Sequence, residues 1–346
     1  MKAIVIERPR DVALREISVP AVGPRDVLVE TRSVGVCRTD YELITGELDD
    51  PRWVRFPCVP GHEWSGVVSE VGGDVTSVVP GDRVVGEGMV ACLHCGPCRR
   101  GDTHLCENYD QIGFTRGGGC GEYVLAPERT LHQLPDHVSF DTAVLIEPGS
   151  VVLRGIEKLA PQPGEVMGVI GIGTLGSIAI KLLRLHSPVA IVAYGLRDAE
   201  LEFARELGAD HVINVAEGDP VQATTDLVGR PLDVVIETAG AVAALELATR
   251  LPREGGRVLA LGLAGAGREL TIPADRFVFR DLTLIGSVTY TTASWARMVG
   301  LVSDRLVELD SIVTHRFPLE RYPEAFALME ERVGNVVKIV LQHERS

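Results

Sequence analysis

Long apolar runs are missing from this chain. No uncharged stretch among its 346 residues approaches the roughly 20 apolar residues that a membrane-crossing helix needs, so no membrane partner is expected. The opening run, Met1-Lys2-Ala3-Ile4-Val5-Ile6-Glu7-Arg8, enters a strand-like segment without the apolar core of a secretion signal, and the expected location is the cytoplasm. Basic charge is in deficit, with 34 Lys and Arg against 48 Asp and Glu and a net charge of −14. Such a surface repels phosphate backbones, which argues against nucleic acid as the partner. Repeats and low-complexity tracts are absent as well. What remains is an ordinary globular composition, 45% hydrophobic and 24% charged, on a chain long enough for two domains.

The most informative feature present is a cysteine quartet. Cys92, Cys95, Cys98 and Cys106 read C-x2-C-x2-C-x7-C. Two-residue spacers let successive thiolates converge on one point, and four thiolates leave zinc no open position, so this site is expected to be structural. A redox pair needs only two cysteines. Seven cysteines without an export signal fit thiolates kept reduced for metal rather than disulfides.

Short apolar runs separated by Gly, Pro and Asp turns make the first part β-rich, in the manner of a barrel or sandwich. The texture changes near residue 147. From there strands and helices alternate: Val166–Ile170, helix Thr174–Leu185, Ala190–Tyr194, helix Ala199–Leu207, Asp233–Glu237, helix Ala241–Thr249, Arg257–Leu261 and Leu282–Ser287. This alternation predicts right-handed βαβ units and a parallel sheet. A helix over Tyr322–Arg332 and a strand over Asn335–Leu341 are expected at the end.

Gly171-Ile172-Gly173-Thr174-Leu175-Gly176 matches G-x-G-x-x-G between an apolar strand and an apolar helix. In that context Gly171 permits the tight turn and Gly173 lets backbone approach a pyrophosphate. Gly176 lets helix and strand pack closely, and free N–H groups at the helix start hold the phosphates. An acidic residue about twenty positions on would bind the ribose 2′-hydroxyl of NAD. The next strand ends instead in Gly195-Leu196-Arg197, which removes a repelling carboxylate and offers a guanidinium to a 2′-phosphate. NADP is favoured and NAD remains an alternative, since Asp198 stands beside Arg197.

Cys37, in Val36-Cys37-Arg38-Thr39-Asp40, and His62, in Gly61-His62-Glu63, are metal-type residues that sequence alone cannot bring together. With Gly66-Val67-Val68, Gly81-Asp82-Arg83-Val84, the cysteine quartet, Glu147-Pro148, the glycine turn, Leu207-Gly208-Ala209-Asp210, His315–Leu319 and Lys338-Ile339-Val340, they make the chain resemble the zinc-containing medium-chain dehydrogenase/reductase family over essentially its whole length. That family includes alcohol, sorbitol, threonine and glucose dehydrogenases.

The resemblance implies an α/β protein. A GroES-like β-rich catalytic domain (1–146, with the zinc lobe at 92–106) would be completed by a C-terminal segment (291–346). A Rossmann domain with a doubly wound parallel sheet (147–290) would bind NAD(P). Two zinc ions are implied, one catalytic and one structural. Cys37 and His62 match catalytic zinc ligands, and Glu147 stands where polyol and sugar dehydrogenases carry a glutamate. Glu63 matches a carboxylate that approaches the metal. Asp40 matches the carboxylate behind the ligand histidine, Thr39 the proton-relaying hydroxyl, and Arg38 an arginine on the cofactor pyrophosphate. The implied chemistry is hydride transfer between a carbinol carbon and nicotinamide, with zinc as Lewis acid.

Glu147 and Glu42 tilt the substrate toward a polyol, sugar or sugar-like alcohol, because buried hydroxyls need polar partners. L-Threonine or a simple alcohol is the alternative, and threonine would require a cation for its carboxylate. Cys120 and Gly149 depart from the common pattern and reshape the pocket, while Cys58 is expected to pack. The family expectation for assembly is a homodimer or homotetramer.

Overall fold

The computed structural model describes residues 1–331 and 334–343, so Arg332, at the end of the expected last helix, lies outside the described residues. The chain divides into two compact units. One comprises Met1–Pro148 and the chain from Tyr290 onward, and the other Gly149–Thr289.

The first unit is built on a seven-stranded sheet. Its strands run in the order Val313–Pro318, Lys338–Gln342, Asp26–Val36, Glu63–Val71, Arg83–Gly86 and Leu131–Gln133, and Tyr123–Pro127 also pairs with Asp26–Val36. Pairing is antiparallel throughout except between the two C-terminal strands. A ribbon of Lys2–Arg8 and Asp11–Glu16 covers part of it. One apolar cluster, including Val29, Val34, Trp64, Val84 and Val124, joins these strands to Ile339 and Leu341 from the far end of the chain.

Register in this sheet fixes the site. Ile339 lies opposite Val36, and Gly35 lies opposite Glu63 on the other side of the same strand. The Glu63 side chain must cross that strand at Gly35. A Cβ on residue 35 would stand 2.1 Å from Glu63 Oε2, so no larger residue fits while the carboxylate keeps this position.

The second unit is a six-stranded, all-parallel sheet ordered His211–Asn214, Ala190–Gly195, Val166–Ile170, Leu232–Glu237, Pro252–Ala260 and Thr283–Gly286. The order reverses direction between Val166–Ile170 and Leu232–Glu237, which is the topological switch of a doubly wound fold. Every residue of Val166–Ile170, Ala190–Gly195 and Leu232–Glu237 is buried, because helices cover both faces. This explains why these strands read as continuous apolar runs rather than alternating ones.

The expected elements occur with ends shifted by a few residues, most at Pro252–Ala260, where a register shift after Leu232 adds length before Arg257. Several elements escaped the sequence reading, four of them in the second half of the chain with identifiable reasons or signals. Strand His211–Asn214 is only four residues long. Helix Pro220–Val228 had both signals of a helix start, an Asp219 cap whose carboxylate accepts from the Val221 N–H and a proline at the first turn. Helix Thr292–Ser303 opens with a reciprocal Thr291–Ser294 capping box, and strand Val313–Pro318 is only partly buried.

Candidate active site

The quartet comes together. The sulfurs of Cys92, Cys95, Cys98 and Cys106 all lie within 4.8 Å of one another, with Cys92–Cys98 and Cys95–Cys106 both at 4.0 Å. Thiolates about 2.3 Å from a tetrahedral zinc lie about 3.8 Å apart, so this donor set fits that ion with little adjustment. All four are unbridged. The backbone N–H of Cys92 donates to the Cys106 sulfur, and those of Cys95 and the Asn108 side chain donate to Cys92. The Asn108 amide and nearby backbone N–H groups draw the Cys92 thiol down to about 5, whereas burial pushes Cys98 up to about 12. Four thiols this close cannot all ionise without a cation between them.

A second donor set forms where two strands of the first unit end. Cys37 follows Asp26–Val36 and caps helix Arg38–Thr45, while His62 and Glu63 open Glu63–Val71. One ligating atom from each of Cys37, His62 and Glu63 lies within 4.8 Å of the others. Mixed sulfur, imidazole and carboxylate donors fit zinc held by three protein groups with a position left for substrate. The Thr39 hydroxyl is 3.5 Å from the Cys37 sulfur.

Asp40 is the frame of this set. One oxygen accepts from the Cys37 N–H at 2.9 Å, and the other accepts from the Gly61 N–H at 3.2 Å and stands 3.4 Å from His62 Nδ1. The last separation is that of an ion pair rather than a hydrogen bond, since Nδ1 has no hydrogen-bond partner. Burial opposes charge on His62, but Asp40 and Cys37 outweigh it and hold the imidazole well above its ordinary range. A metal ion takes that proton's place electrostatically. The Phe114 ring packs against His62 at 5.2 Å.

Lys338 was missed. Its ammonium donates to Glu63 Oε2 at 2.6 Å and to the Val36 carbonyl at 3.1 Å, and both side chains of the pair are almost wholly inaccessible. In sequence it stands within the expected strand Asn335–Leu341, with no local signal of a buried partner. The strand register alone puts it behind the metal site.

Glu147 is the second residue of helix Ile146–Leu159 and is buried. Its carboxylate is not in the 4.8 Å donor set, but it lies in the field of His62, Glu63, Lys338 and Asp40. Burial above all, reinforced by Glu63 and Asp40 and opposed by His62 and Lys338, raises it to about 7. Arg38 is turned to the surface of its helix, where it faces Glu42 at 3.4 Å and Glu47 at 3.5 Å. Glu42 is thus an ion-pair partner of Arg38. Cys58 and Cys120 are buried in apolar clusters, and burial raises both thiols, Cys58 to about 12.

In the second unit Gly171 has φ +90, and a Cβ there would meet Ala239 at 2.8 Å. A Cβ on Gly176 would meet the Gly171 carbonyl at 1.8 Å, whereas Gly173 faces open space. Helix Thr174–Arg184 starts at Gly173 with no side-chain cap, and a helix start of this kind is suited to an anion. Arg197 caps helix Asp198–Leu207 and forms an ion pair with Glu200. A Cβ on Gly195 would stand 3.7 Å from Glu200 Oε2. A carboxylate therefore does reach the end of that strand, supplied from the following helix.

The family description "Alcohol dehydrogenase GroES-like domain" matches residues 23–136, and "Zinc-binding dehydrogenase" matches residues 174–304. The chain is 33% identical to an L-threonine 3-dehydrogenase of Symbiobacterium thermophilum, over 95% of this chain and 93% of that one. Its fold superposes on a zinc-binding dehydrogenase of Sinorhizobium meliloti bound to NADP with a TM-score of 0.92 and 29% identity, covering 99% and 98% of the two chains. Galactitol-1-phosphate dehydrogenase of Escherichia coli gives a TM-score of 0.89 at 25% identity, covering 99% and 100%.

A structural zinc in the quartet contributes folding free energy directly. Cys95→Ser is expected to lose one zinc per chain by elemental analysis and to lower the midpoint of thermal unfolding. Unchanged metal content and unfolding would exclude that role.

Proposed function

The chain belongs to the zinc-containing medium-chain dehydrogenase/reductase family, and from that membership we propose that it transfers a hydride between a secondary carbinol of a polyol or sugar-like alcohol and NAD(P). The observation that carries the substrate reading is the acidity around His62. Asp40, Glu63 and Glu147 gather there with Lys338 as the buried ammonium. Such a site disfavours a substrate carboxylate and suits a neutral molecule whose hydroxyls need acceptors.

Cys37, His62 and the carboxylate of Glu63 or Glu147 would hold zinc, which would supply a Lewis acid for the substrate hydroxyl, and a bound nicotinamide would supply the hydride acceptor. The protein's own work is positional. Asp40 ties the Cys37 and Gly61 backbone into one frame beside His62. Lys338 balances Glu63. The Thr39 hydroxyl takes up the substrate proton and passes it outward. L-Threonine is the second reading, favoured by the likeness to L-threonine 3-dehydrogenases. It would require Arg38 to leave Glu42 and Glu47 for the substrate carboxylate. The seven unpaired cysteines suit a reducing compartment, and we place the enzyme in the cytoplasm.

An absorbance assay of nicotinamide reduction across polyols, aldoses, L-threonine and simple alcohols is expected to favour polyols or sugars; selective turnover of L-threonine would establish the second reading instead. Glu147→Gln is expected to cut turnover of the preferred substrate and occupancy of the second zinc by about tenfold or more, as for lost metal-shell groups. If Glu147 serves only the helix start, the change costs about 0.3–1 kcal/mol of stability and activity is retained.

For the cofactor, we propose NADP held by Arg197, with Glu200 competing for the same guanidinium. Arg197→Ala is expected to weaken NADPH by about tenfold and leave NADH nearly unchanged, while Glu200→Gln tightens NADPH. Equal effects on both nucleotides in fluorescence titrations would refute this.

Self-association is proposed on the edge of the parallel sheet. Among the described residues Thr283–Gly286 has a neighbour on one side only, and Val278, Phe279, Leu284 and Val288 are exposed around it. An apolar open edge is a pairing surface. Light scattering is expected to give a homo-oligomer that Phe279→Asp with Leu284→Lys dissociates, and an unaffected assembly would place the interface elsewhere.

A further inference from the structure

We propose that Thr238 is a positioning residue for the dinucleotide, acting by holding the glycine turn in its phosphate-receiving orientation; this rests on the NAD(P) reading of that turn. Thr238 directly follows strand Leu232–Glu237, on the far side of the turn from strand Ala190–Gly195. Its hydroxyl donates to the carbonyls of Ile170 and Gly171, at 2.9 and 2.8 Å, while its own N–H donates to Ile170 O at 2.9 Å. A trans peptide points its C=O and N–H in opposite directions. Holding the Gly171 carbonyl toward Thr238 therefore turns the Ile172 N–H the other way, away from the sheet neighbour. Glycine at 171 leaves this peptide free to rotate. Without the hydroxyl, rotation would aim a carbonyl oxygen, with its partial negative charge, toward the space meant for phosphate.

The space behind the turn is closed as well. A Cβ on Gly176 would meet Thr238 Oγ1 at 2.9 Å, and a Cβ on Gly171 would meet the Ala239 backbone N–H and Cα at 2.8 Å, so hydroxyl, turn and helix start are packed against one another. Thr238 is itself held. The buried Glu237 carboxylate accepts the Gly240 N–H at 2.8 Å, and the Glu237 carbonyl accepts from Leu261 and Gly262 at 2.9 and 3.2 Å. The segment 237–240 is thus a fixed brace, and Thr238 is the contact through which it acts on Gly171. Valine has nearly the same shape as threonine but cannot donate; serine can.

The test is binding of NADPH and NADH to the zinc-loaded enzyme by fluorescence titration, which needs no turnover, together with thermal unfolding without nucleotide. Thr238→Val is expected to raise the dissociation constant of both nucleotides roughly three- to tenfold, the worth of one hydrogen bond, and to raise the cofactor KM by more than it lowers kcat. Thr238→Ser is expected to recover to within about twofold of wild type. A Thr238→Val protein with wild-type affinity, or a Thr238→Ser protein as impaired as Thr238→Val, overturns the proposal. So does a lower unfolding midpoint with affinity intact, which marks a purely structural hydroxyl. A wild-type protein that binds neither nucleotide overturns the dinucleotide reading itself, and this proposal with it.

Discussion

Several groups that carry or can acquire negative charge gather around one point in the first unit: the half-buried Cys37 sulfur and the buried Asp40, Glu63 and Glu147. Removing such groups from water is unfavourable unless each finds a partner. Asp40 spends its oxygens on two backbone N–H groups and a nearby imidazole, and Glu63 is matched by Lys338. Much of the surrounding architecture serves that matching. The last strand lies beside Asp26–Val36 so that Lys338 reaches the Val36 carbonyl, and residue 35 is glycine so that the Glu63 carboxylate can cross to the ammonium. Removing one member of such a pair typically costs about 3–5 kcal/mol, so the charge balance also holds the fold together. What the pair leaves uncompensated is the Cys37–His62 corner with Glu147 nearby, where a divalent cation would complete the balance.

The two metal-type clusters solve different problems. In the quartet the protein presents four sulfurs at nearly tetrahedral spacing within one short loop, and backbone amides support them. Nothing from elsewhere in the chain is needed, as expected of a site that stabilises a lobe. The Cys37 set draws on two strands, one helix start and the terminal strand. A site assembled from distant segments has its geometry set by the whole domain and can keep a coordination position open.

The second unit shows the same division between local and distant control. The glycine turn has the local freedom to receive a pyrophosphate, but its orientation is set from the neighbouring strand by Thr238. At the ribose end, Gly195 removes a carboxylate from the chain position where NAD enzymes place one, and Glu200 returns a carboxylate to nearly the same place. Counting along the chain misses this because a helix brings residues three apart onto one face.

The sequence by itself determined whatever depends on short-range geometry. Spacing sufficed for the quartet, because two-residue spacers already force convergence. Gly171, Gly173 and Gly176 were legible because strand, turn and helix are consecutive, and the buried parallel strands were legible as unbroken apolar runs. Cys37, His62 and Glu147 were found through family resemblance, since nothing local joins residues so far apart in the chain. Tertiary structure alone decided Lys338 and Thr238, and helix formation the pairings of Arg38 with Glu42 and Arg197 with Glu200. Lys338 depends on strand register and Thr238 on a neighbouring strand end, whereas Glu42 and Glu200 are set by which helix face their arginines share. A one-residue slip in the register of the last strand would send Lys338 to the opposite face of its sheet. Registers of this kind are fixed by the summed packing of the core, not by any residue near the one they place.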